Sequence, residues 1–348
     1  MKVLILKPSS LGDVVQALPV LRLLKLHRPE AQVFWWLDDG LTPLLEGDPD
    51  LAGIIPFDRR RWISPRYWGE AGRSLRDIRG RKFDWVIDLQ SLARSAIVAW
   101  LANGGFTIGL QDGREGAPAF YDVAVPRPTP MTHAVDWYLE VLPPLRIPIH
   151  RRFAWLPERP EVAAALREKW DVGSARWVAV LPGARWENKR WPIGHFVEAV
   201  RLCAANHPDA RFAILGSGSE RELGEALARA APGRCLNLTG GASLLEMIEW
   251  LRLCEVAVSN DTGPMHAAAA MGKPVVALFG PTEPRRTGPY GQIDRALQFH
   301  VPCAPCMKSY CRVDDKLVCL HRITPQAVAE RVGQVLGNGK GARAAVCI

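Results

Sequence analysis

The stretch EVAVSNDTGPMHAAAAMGKPVVALFGP, at residues 255–281, constrains the fold more than any other part of the sequence. Its apolar run at 256–259 predicts a buried strand, and Asp-Thr-Gly at 261–263 turns the chain into a helix of small residues. The apolar run at 274–279 predicts a second strand, which completes a strand–turn–helix–strand unit of a parallel sheet. Residues 261–266 would then offer free backbone N–H groups and the positive end of a helix dipole to an anion. The alternative is an ordinary turn in which a polar side chain only caps the helix.

The chain begins with a unit of the same kind. Lys2 to Lys7 predicts a strand, residues 8–13 form a polar loop, and residues 14–26 have apolar side chains at helical spacing. A doubly wound α/β domain begins in this way, and its first loop lies at the carboxyl edge of the sheet, where such domains bind ligands. Asp13 in this loop is therefore either the N-cap of the helix or a group with a chemical role.

The sequence predicts two α/β domains. With 348 residues, 48% of them hydrophobic, the chain exceeds the size of roughly 250–300 residues at which single cores stop growing. Residues 143–160 contain five prolines and little periodicity, which indicates a linker, so we predict domains at 1–145 and 161–348 joined by 146–160. Strands are predicted at 2–7, 32–37, 53–57, 84–90, 106–110, 121–125, 177–181, 211–215, 235–238, 256–259 and 274–279. Helices are predicted near 14–26, 73–79, 91–102, 132–142, 161–169, 193–206, 219–230, 243–253 and 264–271.

The charge of the chain favours anionic small molecules or surfaces over nucleic acid. The net charge is +8, but the 44 Lys and Arg are dispersed among 36 acidic residues and form no basic stripe. We therefore expect phosphorylated substrates or an anionic membrane surface as partners, and no nucleic acid. The apolar residues at the start end at Lys7-Pro8, too early for a signal peptide or a membrane span, so we expect a cytoplasmic protein.

Two segments concentrate cations. Residues 59–68 combine Arg59, Arg60 and Arg61 with aromatic rings, which suits phosphate oxygens and a membrane interface, although a solvated loop is the alternative. The loop at 182–192 follows a strand, so its Arg185, Lys189 and Arg190 would reach the same sheet edge as residues 261–266. Two such loops meeting at one edge predict a phosphate site more strongly than either alone.

Two further patterns are weaker. Gly-Ser-Gly-Ser at 216–219 resembles a dinucleotide fingerprint but lacks the third glycine. It is either a strand–helix turn capped by Ser219 or a nucleotide site. In the second case, Glu220 or Glu222 would accept hydrogen bonds from ribose hydroxyls. The single Asp-x-Asp triplet, Asp48-Pro49-Asp50, favours a turn over a metal site.

Four of the eight cysteines are clustered near the end of the chain. Cys303, Cys306, Cys311 and Cys319 have the spacing Cys-x2-Cys-x4-Cys-x7-Cys, and we expect them to lie close together. A structural zinc site is one interpretation, since thiolates so spaced can surround one tetrahedral ion. Reduced loop thiols and a disulfide formed on oxidation are the alternatives.

Three segments together resemble a known family. LILKPSSLGDVVQALP, PGARWENKRWP and SNDTGPMHAAAAMGKPVVALFGPTEPRRTGPYG are similar to the ADP-heptose:lipopolysaccharide heptosyltransferases of glycosyltransferase family nine, and the similarity spans nearly the whole chain. RRRW at 59–62, IDLQSLARSA at 87–96 and REGAPAFYDVAVP at 114–126 resemble the heptosyltransferase I branch.

The resemblance implies a GT-B fold, two Rossmann-like doubly wound domains facing across a cleft, with the acceptor on the N-terminal domain and the nucleotide sugar on the C-terminal one. It implies inverting transfer of heptose from ADP-heptose to the Kdo sugar of a lipid A precursor at the cytoplasmic face of the inner membrane, to which the enzyme would bind peripherally. No cofactor is implied for catalysis.

The resemblance also implies roles for individual residues. Asp13 matches the catalytic base. On the donor side, Lys189 matches the diphosphate-binding lysine, and Asp261, Thr262, Gly263 and His266 match the donor-binding turn; on the acceptor side, Arg60, Arg61 and Arg114 match acceptor-side arginines. The chain departs from the family where it has Ala184 and Arg185 before the lysine. To these residues we add, from the local patterns alone, Arg185 and Glu220 as donor-binding and Ser10 and Gly12 as acceptor-binding candidates. Three alternatives stay open: a related transferase with another sugar or acceptor, a nucleotide-sugar epimerase of the same fold, and a non-catalytic protein that binds nucleotides or anionic lipids.

Overall fold

A computed structural model describes residues 1–112 and 115–338 of the chain. The chain divides into two compact units, Met1–Pro157 and Glu158–Ile348, each built on a six-stranded parallel sheet. The boundary falls within the proline-rich segment 146–160. In the described parts of the chain, no helix is both long and apolar enough to cross a membrane.

Unit 1 has strand order β3-β2-β1-β4-β5-β6. Its strands are β1 (Lys2–Leu6), β2 (Gln32–Asp38), β3 (Gly53–Phe57), β4 (Trp85–Asp88), β5 (Phe106–Leu110) and β6 (Val123–Val125). Its helices are α1 (Leu11–His27), α2 (Thr42–Leu45), α3 (Arg59–Ile63), α4 (Trp68–Gly80), α5 (Ala93–Ala102) and α6 (Ala134–Leu139). Residues 3–6 of β1 are fully buried, as expected for a central parallel strand covered by helices on both faces.

Unit 2 repeats this architecture with strand order β12-β11-β10-β7-β8-β9. Its strands are β7 (Arg176–Leu181), β8 (Ala210–Ile214), β9 (Cys235–Asn237), β10 (Val256–Asn260), β11 (Val275–Phe279) and β12 (Ala296–Gln298). Its helices are α7 (Pro160–Lys169), α8 (Ile193–Asn206), α9 (Arg221–Ala228), α10 (Leu244–Leu253), α11 (Gly263–Ala270), α12 (Pro284–Thr287), α13 (Val318–His321) and α14 (Pro325–Asn338).

Both sheets reverse their strand order once, beside their first strand. The reversal lies between β1 and β4 in unit 1 and between β7 and β10 in unit 2. Open α/β sheets bind ligands outside the carboxyl ends of the strands at such a switch point. The segments that follow these four strands are therefore the places where each unit is expected to hold a ligand.

Every predicted strand is present, with its ends within two residues of the prediction, and the predicted fold class of two doubly wound α/β domains is confirmed. Two predictions were wrong in detail. Helix α1 begins at Leu11, so Gly12 and Asp13 lie in its first turn and not in a loop. Residues 59–68 contain helix α3 and the start of α4 in place of a loop. Strand β12 and helix α14 were not predicted.

Candidate active site

A buried ion pair joins the two segments at the switch point of unit 2. Lys189, after β7, donates from Nζ to Oδ2 of Asp261, after β10, over 2.6 Å. The Thr282 hydroxyl donates to the same oxygen over 2.6 Å. The Asp261 side chain is 5% exposed and that of Lys189 is 18% exposed, with Nζ 4.7 Å from the centre of the Trp186 ring. The ammonium group is therefore held at the sheet edge by one carboxylate and one aromatic face.

Asn260, the last residue of β10, fixes the loop that carries Lys189. Its Nδ2 donates to the Pro182 carbonyl over 2.8 Å, and its Oδ1 accepts from the Trp191 N–H over 3.0 Å. Both ends of the loop 182–191 are thus bound to one fully buried side chain. The sequence analysis did not assign Asn260 the role of binding this loop, although a polar residue at the end of an apolar strand was recognisable in the sequence.

The helix turn that follows β10 is formed as predicted. Thr262 is the N-cap residue of α11, and Gly263 is the first residue of that helix. His266, one turn further on, is half-buried. Arg185, in contrast, is exposed on the 182–191 loop.

A cavity of about 340 Å³ adjoins this turn. Thr262 and Glu220 line it together with Ser217 and Gly183, and the apolar part of its wall comprises Leu181, Leu215, Ala242, Leu244, Met247 and Pro264. An apolar slot with a carboxylate at one side suits a planar base linked to a sugar with hydroxyl groups. Glu222, the alternative to Glu220, is exposed and does not belong to the lining.

Gly183 leaves the space that the Glu220 side chain occupies. A Cβ atom at Gly183 would lie 1.5 Å from Glu220 Oε1, a distance that no side chain can tolerate. Glu220 Oε2 accepts from the Ser217 N–H over 2.6 Å and from the Ser217 hydroxyl over 3.0 Å. Ser217 is therefore the residue that caps this turn, and the prediction of Ser219 as the cap was wrong.

Asp13 lies in the first turn of α1, at the carboxyl edge of unit 1. Ser10 donates to Asp13 Oδ2 from its N–H over 2.9 Å and from its hydroxyl over 2.7 Å. Ser10 is the N-cap residue of α1, and Asp13 is the acidic partner of a capping box. The interpretation of Asp13 as the N-cap itself was therefore wrong. Gly12, beside it, is buried.

Buried polar groups behind Asp13 were missed in the sequence. Lys7 is 4% exposed, donates from Nζ to the Leu89 carbonyl over 2.9 Å, and lies 4.7 Å from the centre of the Tyr138 ring. Burial acts to lower the pKa of Lys7, but Tyr138, Asp13 and Asp88 together raise it above its usual value. Burial raises the pKa of the fully buried Asp88.

The predicted acceptor arginines lie on helix α3, which follows β3. Asp58 caps this helix, accepting from the N–H groups of Arg60 over 2.7 Å and Arg61 over 3.1 Å. The backbone hydrogen bond from Arg61 is the main cause that lowers the pKa of Asp58. The guanidinium groups of Arg60 and Arg61 are exposed. The third predicted arginine, Arg114, lies outside the described residues.

The candidate metal ligands have other partners or no common centre. Asp48 and Asp50 both accept from the Arg22 guanidinium, with 2.7 Å from Nη1 to Asp48 Oδ1 and 2.7 Å from Nη1 to Asp50 Oδ2. Cys303, Cys306, Cys311 and Cys319 are free thiols that line one cavity of about 170 Å³. Within residues 1–112 and 115–338, no three His, Cys, Asp or Glu side chains are placed to hold a metal ion.

Known proteins resemble this chain along its whole length. The model of glycosyltransferase family 9 (heptosyltransferase) matches residues 72–317. Lipopolysaccharide heptosyltransferase 1 of Pseudomonas aeruginosa is 33% identical, covering 97% of this chain and 98% of that protein.

Solved structures agree in fold. The Escherichia coli ADP-heptose heptosyltransferase II structure superposes with a TM-score of 0.78 at 23% identity, covering 98% of this chain and all of that one. The E. coli heptosyltransferase WaaC with ADP-2-deoxy-2-fluoro heptose gives a TM-score of 0.72 at 25% identity, covering 96% and 99% of the two chains. With its two switch-point sites and this similarity along its length, the chain belongs to glycosyltransferase family 9, the heptosyltransferases.

Proposed function

We propose that this chain is an inverting transferase that moves heptose from ADP-heptose to the Kdo sugar of a lipid A precursor. The observation that supports this most is the Lys189–Asp261 ion pair next to the nucleoside-sized cavity. A cation and a helix N-terminus beside an apolar slot suit a nucleoside diphosphate. The fluorinated ADP-heptose in the WaaC structure shows that a relative of the same fold takes a donor of this class.

Within this proposal, unit 2 holds the donor. The apolar slot takes the adenine, and Glu220 accepts hydrogen bonds from the ribose hydroxyls. Lys189, Arg185 and the N-terminus of α11 at Gly263 stabilise the charge that develops on the departing diphosphate. Asp261 fixes the ammonium group of Lys189, and His266 lies on the same helix as an additional donor-side group.

Unit 1 supplies the acceptor side and the base. The Asp13 carboxylate takes the proton of the acceptor hydroxyl as that oxygen attacks the anomeric carbon. A new glycosidic bond forms, the bond to ADP breaks, and ADP leaves with the electron pair. Arg60 and Arg61 bind the anionic groups of the acceptor, and the net positive charge of the chain attracts the enzyme to the inner membrane. Ser10 and Gly12 line the approach to Asp13.

The test is a transfer assay with a matched pair of variants. Purified protein with ADP-heptose and Kdo-lipid A is expected to add one heptose mass to the lipid and release ADP. Asp13→Asn is expected to keep folding and ADP-heptose affinity while kcat falls by roughly 10²–10⁴, the usual contribution of a positioned base. Asp38→Asn makes the same change at the end of the neighbouring strand β2 and is expected to leave kcat within about threefold.

Three outcomes would contradict the proposal. Free epimerised sugar without any lipid acceptor would indicate an epimerase. Tight ADP binding without transfer to any acceptor would indicate a binding protein. Asp13→Asn turnover within about threefold of wild type would remove Asp13 from the role of base.

A further inference from the structure

Two exposed tryptophans lie on neighbouring helices of unit 1. Of the 13 tryptophans, all of which the structure describes, only Trp68 at the start of α4 and Trp100 near the end of α5 are exposed, by 62% and 61%. Helix α4 packs beside α5, and both cover the same core, in which Ile78, Val98 and Ala99 are buried. The outer surfaces of the two helices therefore adjoin, and we call them together the α4–α5 face.

The outer surface of α5 is largely apolar. Its exposed residues recur at every third position, at Arg94, Ile97 and Trp100, and Ile97 is 45% exposed. A surface helix normally directs polar side chains toward water, whereas α5 exposes an isoleucine and a tryptophan. The exposed ring of Phe120 belongs to a short 3-10 turn that packs against α5. Exposed apolar side chains gathered in this way indicate a site of interaction.

The α4–α5 face and the segment that leads into it carry most of the net positive charge. Residues 59–82 contain nine Lys and Arg and two acidic residues, a net charge of +7 in a chain whose total is +8. On α4, the exposed Arg73, Arg76 and Arg79 lie with Trp68 on the half of the helix that is turned away from the buried Ile78. The cations are therefore less dispersed than the sequence alone suggested.

We propose that the α4–α5 face is the surface by which this chain binds an anionic lipid bilayer. Trp68, Ile97 and Trp100 enter the headgroup region, where an indole ring buries its apolar part and keeps its N–H group hydrated. The arginines of α4 bind lipid phosphates, and each adds to the attraction of the negatively charged surface. The inference deepens the proposed association with the inner membrane by assigning it to one surface of unit 1.

A bilayer fits this face better than two other partners do. A second copy of the chain would bring one set of arginines against another, and like charges oppose that contact. Nucleic acid would pair with the arginines, and a tryptophan can stack on a base, but the aliphatic side chain of Ile97 has no counterpart in a phosphate backbone. A bilayer offers phosphates and apolar chains next to one another.

The apolar part of the face is tested by sedimentation with vesicles of phosphatidylethanolamine and phosphatidylglycerol. Trp100→Gln keeps a good helix former but removes the ring, and we expect it to weaken vesicle binding roughly tenfold. Trp100→Phe retains an apolar ring and should bind within about threefold of wild type.

Leu26→Gln is the matched control for Trp100→Gln. Leu26 is also 61% exposed, but it lies on α1, whose right-handed crossover from β1 to β2 places it on the other face of the sheet. We expect its vesicle binding to stay within about twofold of wild type.

The charged part of the face is tested by Arg73→Gln/Arg76→Gln. We expect vesicle binding to fall roughly tenfold to thirtyfold, from the contribution of each basic residue near an anionic surface. Arg167→Gln/Arg229→Gln removes the same charge from exposed positions of unit 2. At about 100 mM salt this control should weaken binding less than about threefold, since charges outside the contact are screened.

Several results would overturn the inference. Equal weakening by the two double variants would show that only net charge matters. A Trp100→Gln protein that binds vesicles within about twofold of wild type would show that the ring does not enter the bilayer. Wild-type protein that ignores vesicles but binds single-stranded RNA, or forms a dimer that Trp100→Gln dissociates, would assign the face to that partner. Should Trp100→Gln fail to fold, Ile97→Gln tests the same stripe by the same measurement.

The vesicle test is independent of the transfer reaction, because it contains neither a sugar donor nor an acceptor. Asp13→Asn is expected to bind vesicles as the wild type does. Loss of transfer in that variant therefore leaves the α4–α5 face standing, and failure of the vesicle test leaves the proposed reaction standing.

Discussion

Gly183 is a residue at which one added methyl group would disturb the cavity that we propose for the donor. In Gly183→Ala the new Cβ would collide with Glu220 Oε1 at 1.5 Å, so the carboxylate must leave its place beside Ser217. We expect the Kd for ADP-heptose to rise about tenfold. One charge-assisted hydrogen bond contributes about 1.5–3 kcal/mol to the binding free energy, and hydrogen bonds to water would replace part of that contribution. Isothermal titration calorimetry measures the change.

Gly218→Ala is the matched control for that variant. It adds the same methyl group in the same turn, where the nearest atom is the Gly240 Cα at an ordinary 3.9 Å. We expect its Kd to stay within about twofold of wild type. If both variants bind ADP-heptose equally well, Glu220 has no part in donor binding.

At the scale of single residues, sequence reasoning found the groups that carry their own local signal. Lys189 and Asp261 each lie in a turn after a strand, and the structure brings them to 2.6 Å. Lys7 and Asp88 were missed because the environment of each side chain depends on residues that are distant in the sequence. The Leu89 carbonyl, for example, lies 82 residues after Lys7. Burial decides whether a lysine is a surface charge or part of a buried network, and a single sequence does not show burial.

Helix α3 gives the first prediction at the scale of elements. Arg60→Ala/Arg61→Ala is expected to raise the apparent KM for the lipid acceptor about tenfold and to leave the KM for ADP-heptose unchanged. Two charge-assisted hydrogen bonds would be lost, but their contribution to the binding free energy is reduced because Arg61 is 53% exposed and screened by solvent. Initial rates with each substrate varied in turn measure both constants.

Arg76→Ala/Arg79→Ala on α4 is the control for this pair. It removes the same charge from exposed positions of the same unit, so a general electrostatic effect would appear in both double variants. An equal loss of acceptor affinity in the two would show that α3 has no specific contact. A rise in the KM for ADP-heptose would assign Arg60 and Arg61 to the donor instead.

The cysteine-lined cavity gives a second prediction at this scale. We expect Cys303, Cys306 and Cys311 to react with a maleimide at about pH 8, since all three are partly exposed free thiols. Cys203 and Cys254 serve as internal controls: burial raises the pKa of each to about 12, so almost no thiolate forms and neither should react. Peptide mass spectrometry measures the extent of labelling at each cysteine.

A zinc site would instead protect Cys303, Cys306 and Cys311 from the maleimide. Close to one equivalent of zinc or iron by elemental analysis, with the loop thiols protected until a chelator is added, would support a metal site. Less than about a tenth of an equivalent of either metal would contradict the metal site.

Elements differed in how well the sequence predicted them. Strands such as β3 and β5 were predicted to the residue, because an apolar run between turn residues has few alternatives. Helix α14 was missed although Val328, Val332 and Leu336 recur at helical spacing and are buried. Strand β12 has three residues, too few for any periodicity, and exists because β11 offers it hydrogen bonds.

At the scale of the whole molecule, the net charge of +8 predicts salt-sensitive binding to anionic membranes. We expect the protein to sediment with vesicles that contain anionic lipid at about 50 mM salt and to be released at about 500 mM, because the Debye length shortens severalfold over that range. Vesicles of zwitterionic lipid alone are the control. Equal binding to both, or binding that salt does not weaken, would contradict peripheral association through charge.

The repetition of one topology in both units explains why the candidate site was predictable at all. Asp13 follows the first strand of unit 1, and Lys189 and Asp261 follow the two strands at the switch point of unit 2, so the positions of these motifs in the sequence predict their positions at the sheet edges. The sequence could not predict how far individual side chains are buried, because that depends on helices packed over the sheet from other parts of the chain.

The Gly183–Glu220 contact has a consequence for the history of such sequences. A side chain acquired at 183 displaces the Glu220 carboxylate from its present position, whereas a lineage that first shortens residue 220 can accept Ala or Ser at 183 without that displacement. We therefore expect substitutions at the two positions to be epistatic. Relatives that lack glycine at 183 are expected either to hold the side chain of residue 220 in another position or to carry a shorter side chain there.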